Sequence, residues 1–253
     1  MPITPIAPLR LYQKVAEQLA RLVAAGELPV GSRLPAEREL AQSLGVSRPV
    51  VREAMIALEL AGVVEVRMGS GAWVVHAPSP DLVTGGFARA LADAGSGPLA
   101  LVEAREAIEG ETAARAALAR SDADLAALAA AIAEMRACPG AAAHSDADHG
   151  FHVRIAEATG NEVLARIVDQ LWREMFSPLF LRMGDTTGLF RGAREGTAHE
   201  HEAILAAIAV RDPDAARAAM HLHLATVRRV LTTPAEDVVT AGGPDLSREA
   251  VPC

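Results

Sequence analysis

Aromatic side chains are nearly missing from this chain. Five Phe, two Trp and one Tyr make up 3% of its 253 residues. With alanine abundant, that scarcity favours helix over sheet. Cysteine is almost as rare: Cys138 and Cys253 show neither metal nor redox spacing. This excludes a disulfide framework and suggests a reducing compartment. No run approaches the ~18 apolar residues of a membrane helix, and the opening MPITPIAPLRLYQ has no apolar signal core. A soluble cytoplasmic protein is therefore expected. Lysine occurs once, at Lys14, and the net charge is −8, which at first argues against a nucleic-acid partner. The charge is uneven, however. Residues 1–76 hold eight Arg/Lys against seven Asp/Glu, and the remainder hold 16 against 25. The acidity belongs to the second part of the chain, so a local basic patch on the first can dominate binding there.

What is present begins with LPAERELAQSLGVSRPVVREAMIALELAGVVEVRMGSGAWVV at 34–75. Leu40, Ala41 and Leu44 recur at helical spacing, Gly45-Val46 makes a break, and Ser47 stands at an N-cap position with Pro49 in the first turn. In the next helix, from about Arg48 to Ala61, Val51, Ala54, Met55 and Leu58 share one face, with Arg48 and Arg52 off it. Gly62 ends it. Two short strands, Val63–Arg67 and Ala72–Val75, then flank Met68-Gly69-Ser70-Gly71. That order is a winged helix-turn-helix. An exposed first turn with two arginines four residues apart can enter a major groove, and a glycine-rich wing tip lets backbone approach a phosphate or the minor groove.

Before this stretch lie a proline-broken arm (1–8), an amphipathic helix (9–25) and a turn (26–33). After it, the winged domain (1–76) gives way to a Pro- and Gly-bounded linker (77–98). Helices are then expected near 99–119, 122–137, 143–159, 162–182, 195–210 and 213–231, with a glycine-rich loop at 184–196 and a disordered tail at 234–253. The fold class is mainly α: a winged helix-turn-helix followed by an all-α antiparallel helical bundle over 99–233.

Histidine is the informative residue of the bundle. Helix phase places His201 with Ile204, Leu205 and Ile208, and puts His199 on the opposite side. It centres His223 on Ala216, Ala219, Met220 and Val227, while His221 falls among Asp214, Arg217 and Arg228. Asp148 and His152 are one turn apart beside Phe151 and Ile155, with His149 on the flank. Three helices thus turn ligand-type side chains inward. A buried carboxylate is costly unless paired or bound to a cation. One divalent ion held by Asp148, His152, His201 and His223 would satisfy all four groups, and such N/O donors suit Zn, Ni, Mn or Fe. The competing reading is four separately hydrogen-bonded core residues. Arg105 sits on a stripe with Leu101, Val102, Ile108 and Thr112. There it could pair with an effector carboxylate, pair with Glu109 or Glu103, or snorkel to the surface.

The sequence LPAERELAQSLGVSRPVVREA, followed by RMGSGAWVV, resembles the DNA-binding domain of the GntR family of bacterial transcription regulators. The resemblance implies DNA contacts from Arg38, Ser47, Arg48, Arg52, Gly69 and Gly71. Where the family often carries Thr or another small polar residue, this chain has Val50. DHGFH (148–152), ATGN (158–161), EHEAILAAI (200–208) and AAMHLHL (218–224) are similar to the FCD ligand-sensing domain of the FadR-type branch. In metal-binding members, the resemblance implies ligands at Asp148, His152, His201 and His223, with small carboxylates bound at or beside the metal.

The expected function is a metabolite-responsive transcription regulator, commonly a repressor. It would bind double-stranded DNA as a homodimer on a palindromic operator and respond to a small carboxylate effector bound at the metal site. A coupling of ~1–3 kcal/mol would change DNA affinity roughly 5–150-fold. The alternative of a different class is a metal-dependent hydrolase or lyase with an appended DNA-binding domain. No positioned nucleophile or general base supports it, since Glu200 and Glu202 flank His201 off its apolar face. A purely architectural DNA binder would need no buried Asp and three histidines.

Overall fold

The computed structural model describes residues 10–67, 70–80, 82–83, 94–137, 141–190 and 194–233. The elements in chain order are α1 (Leu11–Ala24), α2 (Glu37–Leu44), α3 (Arg48–Leu60), β1 (Val64–Arg67), β2 (Gly71–Val74), α4 (Pro98–Ala119), α5 (Asp122–Ala137), α6 (Ala141–Glu157), α7 (Glu162–Glu174), α8 (Pro178–Thr187), α9 (Arg194–Ala209) and α10 (Pro213–Thr232). The architecture is the expected one, a winged helix-turn-helix followed by a helical domain. Among the described residues no helix is long and apolar enough to cross a membrane. The arm at 1–8, half of the linker and the tail at 234–253 lie outside the described residues.

Chain contacts divide the protein into two compact units. Of the described residues, one gathers those up to Pro98 together with Phe176–Thr187 and Leu231–Thr233, and the other gathers Leu99–Met175 and Gly188–Val230. The first unit is built on α1 and α3. Val15, Leu19 and Val23 of α1 and Val51, Met55 and Leu58 of α3 are all buried. Burying such side chains stabilises by roughly 1.5–3 kcal/mol each. Gly45 ends α2 in the left-handed conformation (φ 65), which lets the chain turn at once into α3. The wing pairs β1 with β2 in antiparallel register, Val64 opposite Val74 and Arg67 opposite Gly71. It gains a further rung from the segment expected to be a plain turn. Arg33 bridges Trp73, and the Gly31 and Leu34 N–H groups donate to the Val74 and Ala72 carbonyls at 2.8 Å.

Helix α8 also belongs to this unit. The sequence pattern suggests one helix through 162–182, but the chain breaks between Met175 and Ser177. Pro178 disfavours helical backbone at the residue before it and then serves as the first residue of a new helix. The helix runs on to Thr187, into the expected glycine-rich loop. There the Thr186 and Thr187 hydroxyls donate back to the Met183 carbonyl at 2.9 Å. Arg182 grips Glu59 of α3 with two hydrogen bonds of 2.7 and 2.9 Å, and the Val66 N–H of β1 donates to the same carboxylate at 3.0 Å.

The second unit explains the alanine content. Ala113, Ala116 and Ala117 of α4 and Ala131 of α5 are fully buried, so helices approach closely around Leu128, Phe151, Ile204, Ile208 and Leu224. Trp172 of α7 packs with Val168 and Ala156 in an adjoining cluster. This helical frame fixes the inward faces of α4, α6, α9 and α10.

Candidate metal centre and nucleic-acid surface

Helix α6 places Asp148 and His152 one turn apart, and α9 and α10 bring His201 and His223 to the same place. One ligand-type atom from each of the four lies within 4.8 Å of the others. Two donors that each sit about 2.0–2.4 Å from a shared ion can be no farther apart than roughly that. The imidazole centroids are 5.4 Å apart for His152–His201, 5.2 Å for His152–His223 and 4.6 Å for His201–His223. All three histidines are buried, at 2% exposure or less. Asp148 Oδ1 lies 3.2 Å from His201 Nε2 and 3.4 Å from His152 Nε2.

The chemistry of the donors fits a divalent ion. Asp148 Oδ1, His152 Nε2 and His201 Nε2 are buried polar atoms without a hydrogen-bond partner. Orphans of this kind are rare in folded proteins, and each costs on the order of 1–3 kcal/mol when left unmet. Here they face one another. Burial pushes His201 down to about 4, despite Asp148, so its imidazole is neutral and has a lone pair to give.

Neighbouring carboxylates bond two of the rings. Glu109 of α4 accepts a hydrogen bond from Nδ1–H of His152, and Glu200 accepts one from Nδ1–H of His223 at 2.9 Å. Glu109 is itself held by Arg105, whose Nε lies 2.6 Å from Oε1. Burial opposes the charge of Glu109, but Arg105 and His152 outweigh it and hold the carboxyl down to about 2. Of the partners open to Arg105 from the sequence, an effector carboxylate, Glu109, Glu103 or solvent, the structure shows Glu109 of its own helix. Arg105 is 1% exposed, its guanidinium lies 4.1 Å from the Trp172 ring centroid, and Nη1 reaches the Met175 sulfur at 2.7 Å. His149 bonds Asp169 at 2.9 Å and stacks on Trp172. From the sequence Glu109 is only one possible partner of Arg105, and Glu200 stands off the apolar face of its helix. The i, i+4 spacing of Arg105 and Glu109 was the available signal, whereas nothing in the sequence ties Glu200 to His223.

At the other end of the chain, Arg38 and Ser47 are exposed, and Arg48 keeps 36% of its side-chain exposure with Nη2 4.0 Å from Glu37. Ser47 occupies the N-cap position of α3, but its side chain makes no cap hydrogen bond. Arg52 differs from the expectation. It is 4% exposed, and Nε and Nη2 donate to the two Glu37 oxygens at 2.9 and 2.8 Å. Its Nη1 donates to the Leu231 and Thr233 carbonyls, which fall in the same unit. Gly69 lies outside the described residues. Gly71 has φ +83, and a Cβ there would come within 2.9 Å of Arg33 Nε. The exposed Arg33, read from the sequence as the end of a turn, therefore lies across the wing.

Comparison with known proteins places both parts. The bacterial regulatory protein gntR family matches residues 11–74, and the FCD domain matches residues 100–226. The chain is similar to the Exu regulon transcriptional regulator of Escherichia coli K12, with 35% identity over 236 residues, 91% of this chain and 88% of that protein. It is 36% identical to the Uxu operon transcriptional regulator of the same organism over 88% of this chain and 87% of that one. It is 33% identical to the Uxu operon regulator of Haemophilus influenzae over 87% and 81%.

The contrast between the two arginines of α3 is testable by denaturant unfolding. Arg52→Ala would leave Glu37, in a partly buried place, with Arg48 at 4.0 Å for a cation. The expected loss is about 2–3 kcal/mol, below the full buried-pair range because Glu37 keeps 19% of its side-chain exposure. Arg48→Ala should cost less than about 1 kcal/mol. Equal losses would contradict the division.

Proposed function

The chain belongs to the GntR family of bacterial regulatory proteins and carries an FCD domain behind its DNA-binding domain. From that premise we propose a homodimeric repressor that binds a palindromic operator and is released by a small carboxylate effector at a metal site. Asp148, His152, His201 and His223 would hold the ion, with zinc, nickel, manganese or iron(II) suited to this donor set. The single observation that supports the metal site is the convergence of one donor atom from each of the four, those of Asp148, His152 and His201 being buried and partnerless. A divalent ion bound there would supply Lewis-acid coordination to oxygens of the effector. The protein's own residues would do the rest. Asp148 would balance part of the ion's charge, the three imidazoles would set its place, and the surrounding helices would limit access of water.

DNA recognition is assigned to the first unit. Arg48, at the start of α3, would reach base edges or phosphates in the major groove, with Arg38 and Ser47 beside it and the wing backbone at Gly69 and Gly71. Arg52 takes a bracing part, since its bidentate pair with Glu37 joins α3 to α2. One helix-turn-helix reads one half-site, so a two-fold operator calls for two copies. Effector and DNA would then be linked reciprocally, each lowering the affinity for the other.

Two measurements test this reading. With a duplex selected from random sequence by the purified protein, Arg48→Ala should weaken binding by about 1–3 kcal/mol, or 5–150-fold, while the fold persists. Undiminished affinity would remove α3 as the reading helix. Elemental analysis after mild purification should find about one divalent ion per chain, and His201→Ala should bring it well below one. A wild-type protein that takes up no zinc, nickel, manganese or iron(II) on titration would remove the metal site.

A further inference from the structure

A histidine bound to a metal offers one ring nitrogen, and what the other nitrogen meets decides which one it is. In this cluster the three rings are treated differently. His152 and His223 each have Nδ1 engaged by a carboxylate, whereas both nitrogens of His201 are buried without a partner. The carboxylate behind His152 is the more unusual of the two. Glu109 is 2% exposed and its counter-ion Arg105 1%, with the guanidinium laid against Trp172. Replacing so deep an ion pair by apolar side chains is often neutral or stabilising, so fold stability alone does not account for it. Its geometry gives it another use. Arg105 holds both Glu109 oxygens, Nε on Oε1 at 2.6 Å and Nη2 on Oε2 at 3.4 Å, and Oε2 also faces His152 Nδ1, leaving Nε2 turned toward Asp148.

We propose that Glu109 is a positioning residue for the metal centre. It fixes His152 as the Nδ1–H form with Nε2 aimed at the shared centre, and Arg105 is the counter-ion that holds Glu109 in place. This rests on the metal reading given above. Arg105 then acts from behind the ligands rather than on an effector. Glu200 does the same for His223 from a more exposed position, its side chain at 26%.

The test uses the full-length protein with zinc or cadmium alone. Zinc affinity is measured by chelator competition for wild type, for Glu109→Gln and for the double variant Arg105→Met/Glu109→Leu. The double variant removes both charges and so remains informative if the single variant does not fold. Both should bind zinc 10–100-fold more weakly than wild type. In protein carrying ¹⁵N-labelled histidine and loaded with ¹¹³Cd, the metal should couple to Nε2 of His152 in wild type. That coupling should be lost or shared with Nδ1 in the double variant. A merely structural pair would leave this signature unchanged. Equal zinc affinity in wild type and the double variant, or ¹¹³Cd coupled to Nδ1 of wild-type His152, would overturn the role of Glu109 while leaving the metal site standing. A wild-type protein that binds neither ion would remove the metal site and this inference together.

Discussion

Asp148 Oδ1, His152 Nε2 and His201 Nε2 are buried without a hydrogen-bond partner, and with His223 they offer four ligand-type atoms within 4.8 Å of one another. Lone pairs that face each other in a low-dielectric interior repel, and each has given up water to be there. A cation at their centre removes both costs at once. Its binding to the folded state would add to stability by mass action. The burial of Glu109 and Arg105 behind His152 follows from the same constraint, since an imidazole with a free choice of tautomer could present either N–H or lone pair to the centre. The helical frame serves this arrangement. Small alanines bring α4, α5 and the histidine-bearing helices close enough for side chains from three of them, α6, α9 and α10, to meet.

The winged unit answers a different demand, a basic surface on a chain whose net charge is −8. Its cations divide by neighbour. Arg52 and Arg182 are consumed within the unit by Glu37 and Glu59, and each ties α3 to another helix. Arg38 and Arg33 are exposed, and Arg48 is only loosely near Glu37. The count of positive residues therefore overstates the charge available to a phosphate backbone, and the placement of the exposed ones matters more than their number.

Helix phase could separate inward from outward residues because each helix of the second unit has one buried side. It set His201 apart from His199 and His223 apart from His221. In the structure the first of each pair is buried and the second is exposed. Phase works along one helix only, and its failures lie between helices. Glu200 stands off the apolar face of α9 yet reaches His223 on α10. Arg52 stands off the apolar face of α3 yet is covered by Glu37 from α2. The rung made by Arg33 is too short to show any periodicity. The break before Pro178 was legible from the proline, but the strong apolar pattern on both sides concealed it. Of the ligand-type residues, the four on inward faces could be read from the sequence. The carboxylates behind them could not, because their partners are fixed only by tertiary packing.

The claim on which the rest depends is that these four side chains share one ion. X-ray absorption at the zinc edge of the zinc-loaded protein addresses it directly. The account predicts a first shell of nitrogen and oxygen at about 2.0–2.2 Å, with the outer-shell scattering of three imidazole rings. A shell that contains sulfur, or one without imidazole scattering, would contradict it.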